Sequence, residues 1–191
     1  MADNTAAAPS QITGLILAGG AGRRMGGRDK GLIEWRGEPL IEHVARRLRP
    51  QCRELVISCN RNQDHYASFG RTAADRFAGY QGPLAGLHGA AGYIHTPLTL
   101  VCPCDVPLVP TDLAAKLAPA IVVSGAAIAF ARTTQREHYC CALLRTDCLD
   151  SLTAFLADGG RAVRAWYALE GGVAVDFPDE VDAFRNINTV E

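Results

Sequence analysis

The chain has 191 residues, 48% hydrophobic and 20% charged, the profile of an ordinary globular protein that buries roughly 70% of its unfolded surface. Its 19 basic and 20 acidic residues give a net charge of −1, which argues against a general nucleic-acid binder. Basic residues do cluster at Arg23, Arg24, Arg28 and Lys30, a local pattern suited to a small anionic ligand. The longest largely apolar stretch, residues 118–131, is interrupted by Pro119, Ser124 and Gly125 and is too short to span a membrane. Seven scattered cysteines without a CxxC pair read as small buried hydrophobes of a reducing compartment. A soluble cytoplasmic protein is the expectation.

Residues 1–11 carry no basic and apolar leader pattern and are expected to form a disordered tail before a single domain over residues 12–191. Ile12–Leu17 reads as the first buried strand, because β-branched and aliphatic residues run together up to a glycine cluster. Leu40–Leu48 follows with apolar positions at helical spacing and Pro39 at its start. Glu54–Ser58 is the second strand, residues 84–94 an Ala/Gly-rich helix and residues 98–102 the third strand. A short helix over residues 112–117, with Thr111 as cap, precedes a strand at 126–131. The remainder reads as a strand at 139–144, helices at 149–156 and 162–169, and a strand at 172–176. The alternation of strand and helix predicts an α/β fold: three α/β/α layers around a mostly parallel sheet. Ligands of such sheets bind beyond the carboxyl ends of the strands, and the glycine loop, Asn60 and Asp105 all fall there.

The loop after the first strand reads LAGGAGRRMGGRDKGL. Its glycines let the backbone approach a ligand closely, and successive N–H groups in such a loop form an anion-binding concavity. Arg23 can fork onto phosphate oxygens, and Lys30 can act as a point charge. The Walker pattern fails because Lys30 precedes Gly31 rather than Ser or Thr. The dinucleotide fingerprint fails because Met25 stands where glycine is needed and no acidic residue follows the second strand.

This loop resembles the signature of the molybdenum cofactor guanylyltransferases, within the wider nucleotide-sugar pyrophosphorylase-like superfamily. GPLAG at residues 82–86, CPCDVP at 102–107 and NINT at 186–189 match the same family in order and spacing. The resemblance implies a Rossmann-like nucleotide-diphospho-sugar transferase fold. It also implies a reaction: GMP passes from GTP to the phosphate of molybdenum-molybdopterin, giving molybdopterin guanine dinucleotide cofactor and pyrophosphate.

The same resemblance assigns residues. Leu17, Ala18, Gly19 and Gly20 would meet the nucleotide, with the first three reading guanine through the backbone. Arg23 and Lys30 would hold phosphates and, with Asp105, form the catalytic set. Asp105 alone could equally be a turn cap or a Mg²⁺ ligand, since Mg²⁺ needs only one or two carboxylates; the family likeness favours the metal. Asp75 and Gly82 would contact the nucleotide, Gly82 through the start of a helix. Ser58 stands where the family carries an asparagine, a departure that shortens the reach of that contact. Asn186, Asn188 and Arg161 are assigned to the second substrate, with Arg164 and His138 as further candidates on the pterin side. The implied partners are GTP, molybdenum-molybdopterin, a molybdenum insertion protein and molybdoenzyme chaperones, with no nucleic acid and no membrane. The rival readings are a cytidylyl or sugar-phosphate nucleotidyltransferase on the same fold, and a non-catalytic molybdopterin carrier.

Overall fold

The computed structural model describes residues 7–20, 29–77 and 82–188. Strand β1 (Ile12–Leu17) is followed by a small hairpin, β2 (Glu34–Trp35) and β3 (Glu38–Pro39), that leads into helix α1 (Leu40–Leu48). Next come β4 (Glu54–Ser58), α2 (Gln63–Tyr66), β5 (Arg71–Ala73), α3 (Pro83–Ala90) and β6 (Leu98–Pro103). The second half holds α4 (Leu113–Ser124), β7 (Ile128–Arg132), β8 (Glu137–Arg145), α5 (Leu149–Ala157), α6 (Val163–Leu169) and β9 (Val173–Asp176). Seven of these strands form one sheet in the order β5-β4-β1-β6-β8-β7-β9. Strand β8 is antiparallel to both neighbours, and the other pairings are parallel.

Alternation along the strands divides the core into two faces. Ile12, Ile16, Ile57, Leu100 and Cys102 pack with Ile41, Val44 and Leu48 of α1 and with Leu113, Leu117 and Ile121 of α4. Leu15, Val56, Val101, Ala142 and Leu144 pack on the opposite side with Leu84 and Leu87 of α3, Leu152 and Leu156 of α5 and Trp166 of α6. These are the three expected layers. The cysteines behave as core atoms: all seven are free and six are buried, and burial pushes the Cys52 and Cys59 thiols up to about 12.

Several expectations need correcting. The tail does not reach residue 11, because Pro9–Gln11 form a 3-10 turn and Ala7 packs against the core; residues 1–6 lie outside the described residues. Helix α4 runs well past residue 117 and contains Pro119. Burial of the stripe Leu113, Leu117 and Ile121 outweighs the hydrogen bond that proline removes. Its cap position is Asp112 rather than Thr111, and no cap side chain bonds to the helix. Instead the buried Gln51 accepts the Ala114 N–H at 2.8 Å while its amide donates to the carbonyls of Arg47 and Pro110. A residue more than 60 positions away thus satisfies the free helix end. The helix expected over 84–94 stops at Ala90 and tightens into a 3-10 turn, Ala91–Tyr93.

The parallel run of β1, β4, β5 and β6 gathers residues 18–20, Asn60, Asp75 and Asp105 along one edge of the sheet. Strand β7 runs in the same sense, so Thr133 and the start of β8 lie along that edge as well. The chain then returns there once more: the Ile187 N–H donates to the Asp105 carbonyl at 2.9 Å and lays residues 186–188 beside the site.

Candidate active site

Lys30 opens a 3-10 turn, Lys30–Leu32, at the far end of the glycine loop. Its ammonium donates to Asp105 Oδ2 and, at 2.6 Å, to Asn188 Oδ1. Three segments separated by 75 and 158 residues therefore meet at one amine. The second carboxylate oxygen, Asp105 Oδ1, is buried and has no hydrogen-bond partner among the described residues. A buried, unpaired anionic oxygen is costly unless something binds it. That oxygen fits a hard cation, which takes oxygen ligands and completes its shell with water and phosphate. Among the described residues no group of three or more His, Cys, Asp or Glu could hold a metal by itself. A cation here would thus depend on Asp105 and its substrate rather than on a protein cage.

A second polar group forms where β1, β4 and β5 end. Asn60 Nδ2 donates to Asp75 Oδ2 at 2.8 Å and to the Gly19 carbonyl at 3.3 Å. The Asp75 N–H returns a bond to Asn60 Oδ1 at 2.9 Å. One carboxylate oxygen of Asp75 is fixed by this ladder, whereas Oδ1 is buried without a hydrogen-bond partner among the described residues. Burial pushes the Asp75 carboxyl above the usual range, and the Asn60 bond acts against that rise.

The backbone at the end of β1 is partly engaged already. The Leu17 carbonyl accepts from Cys104 N–H at 3.1 Å, and Ala18 N–H donates to the Ser58 carbonyl at 2.8 Å. Ser58 is buried against α3, where a methyl group on Gly86 would collide with its hydroxyl oxygen. Gly82 is the cap residue of α3 at φ +86°, a left-handed conformation that favours glycine.

The other expected residues are divided. Asn188 reaches Lys30, but its neighbour Asn186 accepts from Arg136 at 2.7 Å, so the two amides serve different partners. Arg161 donates to the carbonyls of Leu156 and Gly160 at the end of α5. Gly20 follows Gly19 at the edge, and Arg23 lies outside the described residues. His138 stacks on Phe184 with ring centres 4.8 Å apart, and Thr133 lies 3.1 Å from its Nε2. Burial and then the nearby Arg136 charge lower its pKa to about 4. With Arg136, Arg185, Asn186 and Asn188 it lines a cleft of about 350 Å³. A neighbouring cleft of about 550 Å³ shares Arg185, Asn186 and Asn188 and extends to Trp35 and Arg36 of the hairpin. Arg136, Trp35 and Arg36 were not expected from the sequence, since nothing in REH or EWRG marks a site until the C-terminal segment is laid beside it.

The model of the MobA-like NTP transferase domain matches residues 14–173. The chain belongs to that family. It is 46% identical over 95% of its length, and 92% of the relative's, to a molybdenum cofactor guanylyltransferase of Shewanella sp. (strain MR-4). A relative of the same name from Shewanella amazonensis is 45% identical over 95% of the chain and 93% of its own length. Among solved structures, molybdopterin-guanine dinucleotide biosynthesis protein A from Archaeoglobus fulgidus superposes with a TM-score of 0.75 at 24% identity, covering 93% of this chain and 92% of its own. The 4-diphosphocytidyl-2C-methyl-D-erythritol synthase of Anaerococcus prevotii gives 0.72 at 13% identity over 95% and 92%. Both likenesses show the nucleotidyltransferase fold, and the MobA-like family places the chain among the transferases that use it.

Proposed function

We propose that this protein transfers GMP from GTP to the terminal phosphate of molybdenum-molybdopterin, releasing pyrophosphate and forming the guanine dinucleotide cofactor. The observation that carries the reading is the meeting of Lys30, Asp105 and Asn188 at the strand edge, with one Asp105 oxygen unpaired. The 46% identity to a protein named molybdenum cofactor guanylyltransferase supports the choice of nucleotide and acceptor.

A phosphate nucleophile is ionised at neutral pH, so attack on the α-phosphorus requires no protein base. Positioning and charge neutralisation then make up the protein's contribution, as in other phosphoryl transfers. Lys30 exchanges part of its bonding from Asp105 to the phosphates and offsets charge developing on the departing pyrophosphate, with Arg23 as second cation. Asp105 Oδ1 would hold Mg²⁺, which supplies further neutralisation of phosphate charge. Asp75, aligned by Asn60, and residues 17–20 with Ser58 and Gly82 contact the nucleoside. Because Leu17 C=O and Ala18 N–H are already bonded within the protein, base reading falls mainly to the groups that follow them. Asn186, Asn188 and Arg161 face the second substrate, and Arg136 and His138 join them there.

In this reading the protein works as one unit in the cytoplasm, taking molybdopterin from an insertion protein and passing the product to a molybdoenzyme or its chaperone. The test is pyrophosphate release across GTP, ATP, CTP and UTP with Mg²⁺, with and without molybdenum-molybdopterin. Release with GTP alone among the four, dependent on the cofactor, is expected. Equal or better turnover with CTP, or cofactor binding without pyrophosphate release, would overturn the assignment.

A further inference from the structure

The turn that carries Lys30 is held by a side chain from another part of the chain. Asp29, immediately before Lys30, accepts the phenol proton of Tyr66 on one carboxylate oxygen. Its other oxygen accepts from Asn62 Nδ2 at 2.9 Å. Asn62 sits at φ +50° just before α2, a left-handed position that asparagine tolerates. Tyr66 closes that helix and is fully buried. Its ring also lies against Gly31, where an added methyl group would collide with the phenol. Both residues flanking Lys30 are thus seated on one tyrosine. Burial and the Asp29 bond push the phenol far above its ordinary range, which keeps it a proton donor.

The lysine side chain is long and flexible, so the amine is located only if its backbone is. We infer that Tyr66, assisted by Asn62, is a positioning residue of the transfer reaction: it grips Asp29 and seats Gly31, and so fixes the Lys30 amine against Asp105 and Asn188. Asp29 is then an anchor whose two oxygens face structural donors, and not a further metal ligand. The inference rests on the reading that Lys30 takes part in transfer.

The test is a double-mutant cycle on the full chain: wild type, Tyr66→Phe, Lys30→Ala and the double variant, with kcat and the KM for GTP measured and melting curves recorded. Phenylalanine keeps the ring against Gly31 and removes only the bond to Asp29. A fall in kcat of about tenfold at nearly unchanged KM is expected for Tyr66→Phe, since small misplacements of a catalytic group are costly. In the Lys30→Ala background the same change should cost nothing more. Asn62→Gly, which keeps the left-handed backbone and deletes the amide, should show a smaller effect of the same kind, and it carries the test should Tyr66→Phe melt low. Unchanged kcat in these variants, or an equal loss with and without Lys30, overturns the inference. Full activity of Lys30→Ala instead defeats the reading beneath it, and the two failures are distinguishable.

Discussion

Along the β5-β4-β1-β6 half of the strand edge, polar side chains are bonded to one another across strands. Asn60 is tied to Asp75 and Gly19, and Lys30 to Asp105 and Asn188. Around β7, β8 and the C-terminal segment, the polar groups instead line an open cleft of about 350 Å³, where Arg136 and Arg185 bring positive charge and Asp182 one negative charge beside a neutral His138. The difference teaches where accuracy matters. Groups that stabilise developing charge work best when they need no reorganisation. An open wall with a net positive charge would suit a ligand that arrives and leaves as a large anion.

The contrast can be broken experimentally. The largest effect should come from Asp105→Asn, which keeps shape and removes the anion facing Lys30; transfer should fall by about 10² to 10³ by analogy with oxyanion donors, measured as kcat with GTP and cofactor saturating. Near-normal turnover would remove Asp105 from the chemistry. Asn60→Ala should weaken GTP binding about tenfold, the scale of one hydrogen bond to a charged group, as read by calorimetry. Because the Asn60 bond holds the Asp75 carboxyl down against burial, the deficit should widen from pH 7.5 to pH 5.5; a pH-independent deficit would mean that Asn60 acts otherwise. Arg136→Ala tests the open half: the KM for molybdopterin should rise about fivefold to tenfold with GTP affinity unchanged, and a loss confined to GTP would erase the division.

The smallest effect concerns stability. His138 titrates near 4 in the folded chain and near its ordinary 6.5 when unfolded. Unfolding therefore takes up a proton between those values, and the stability this neutral ring contributes is full above 6.5 and lost as pH falls towards 4. Discounted for partial exposure, the loss is about 1 kcal/mol, or a Tm change of about 2–4 °C. His138→Gln should shrink the Tm difference between pH 7 and pH 4 by about that amount; an unchanged difference would show the ring to be solvated.

Much of this molecule was legible from local pattern. β1, α1 and β4 fall where the apolar pattern put them, because the two strands are continuous apolar runs buried on both faces and the helix buries one stripe. Strand β5 and the hairpin β2-β3 were missed, since RTA, EW and EP are too short to carry a period. The end of α4 was missed because Pro119 reads locally as a stop, whereas its packed stripe decides otherwise. Lys30, Asp75 and Asp105 could be named from motifs. Arg136 and Tyr66 could not, because their meaning lies in partners 50 and 37 residues away.

The sequence by itself determined the α/β layering, the anionic ligand and the family, because periodicity, glycine loops and ordered motifs are local or linear properties. The tertiary structure alone decided which groups touch. It joined Lys30 to Asn188 across 158 residues, left one oxygen each of Asp75 and Asp105 without a protein hydrogen bond among the described residues, and seated the turn that carries Lys30 on Tyr66. The physical reason is that hydrogen bonds and burial act over a few ångströms of space, and a parallel sheet brings distant strand ends within that range.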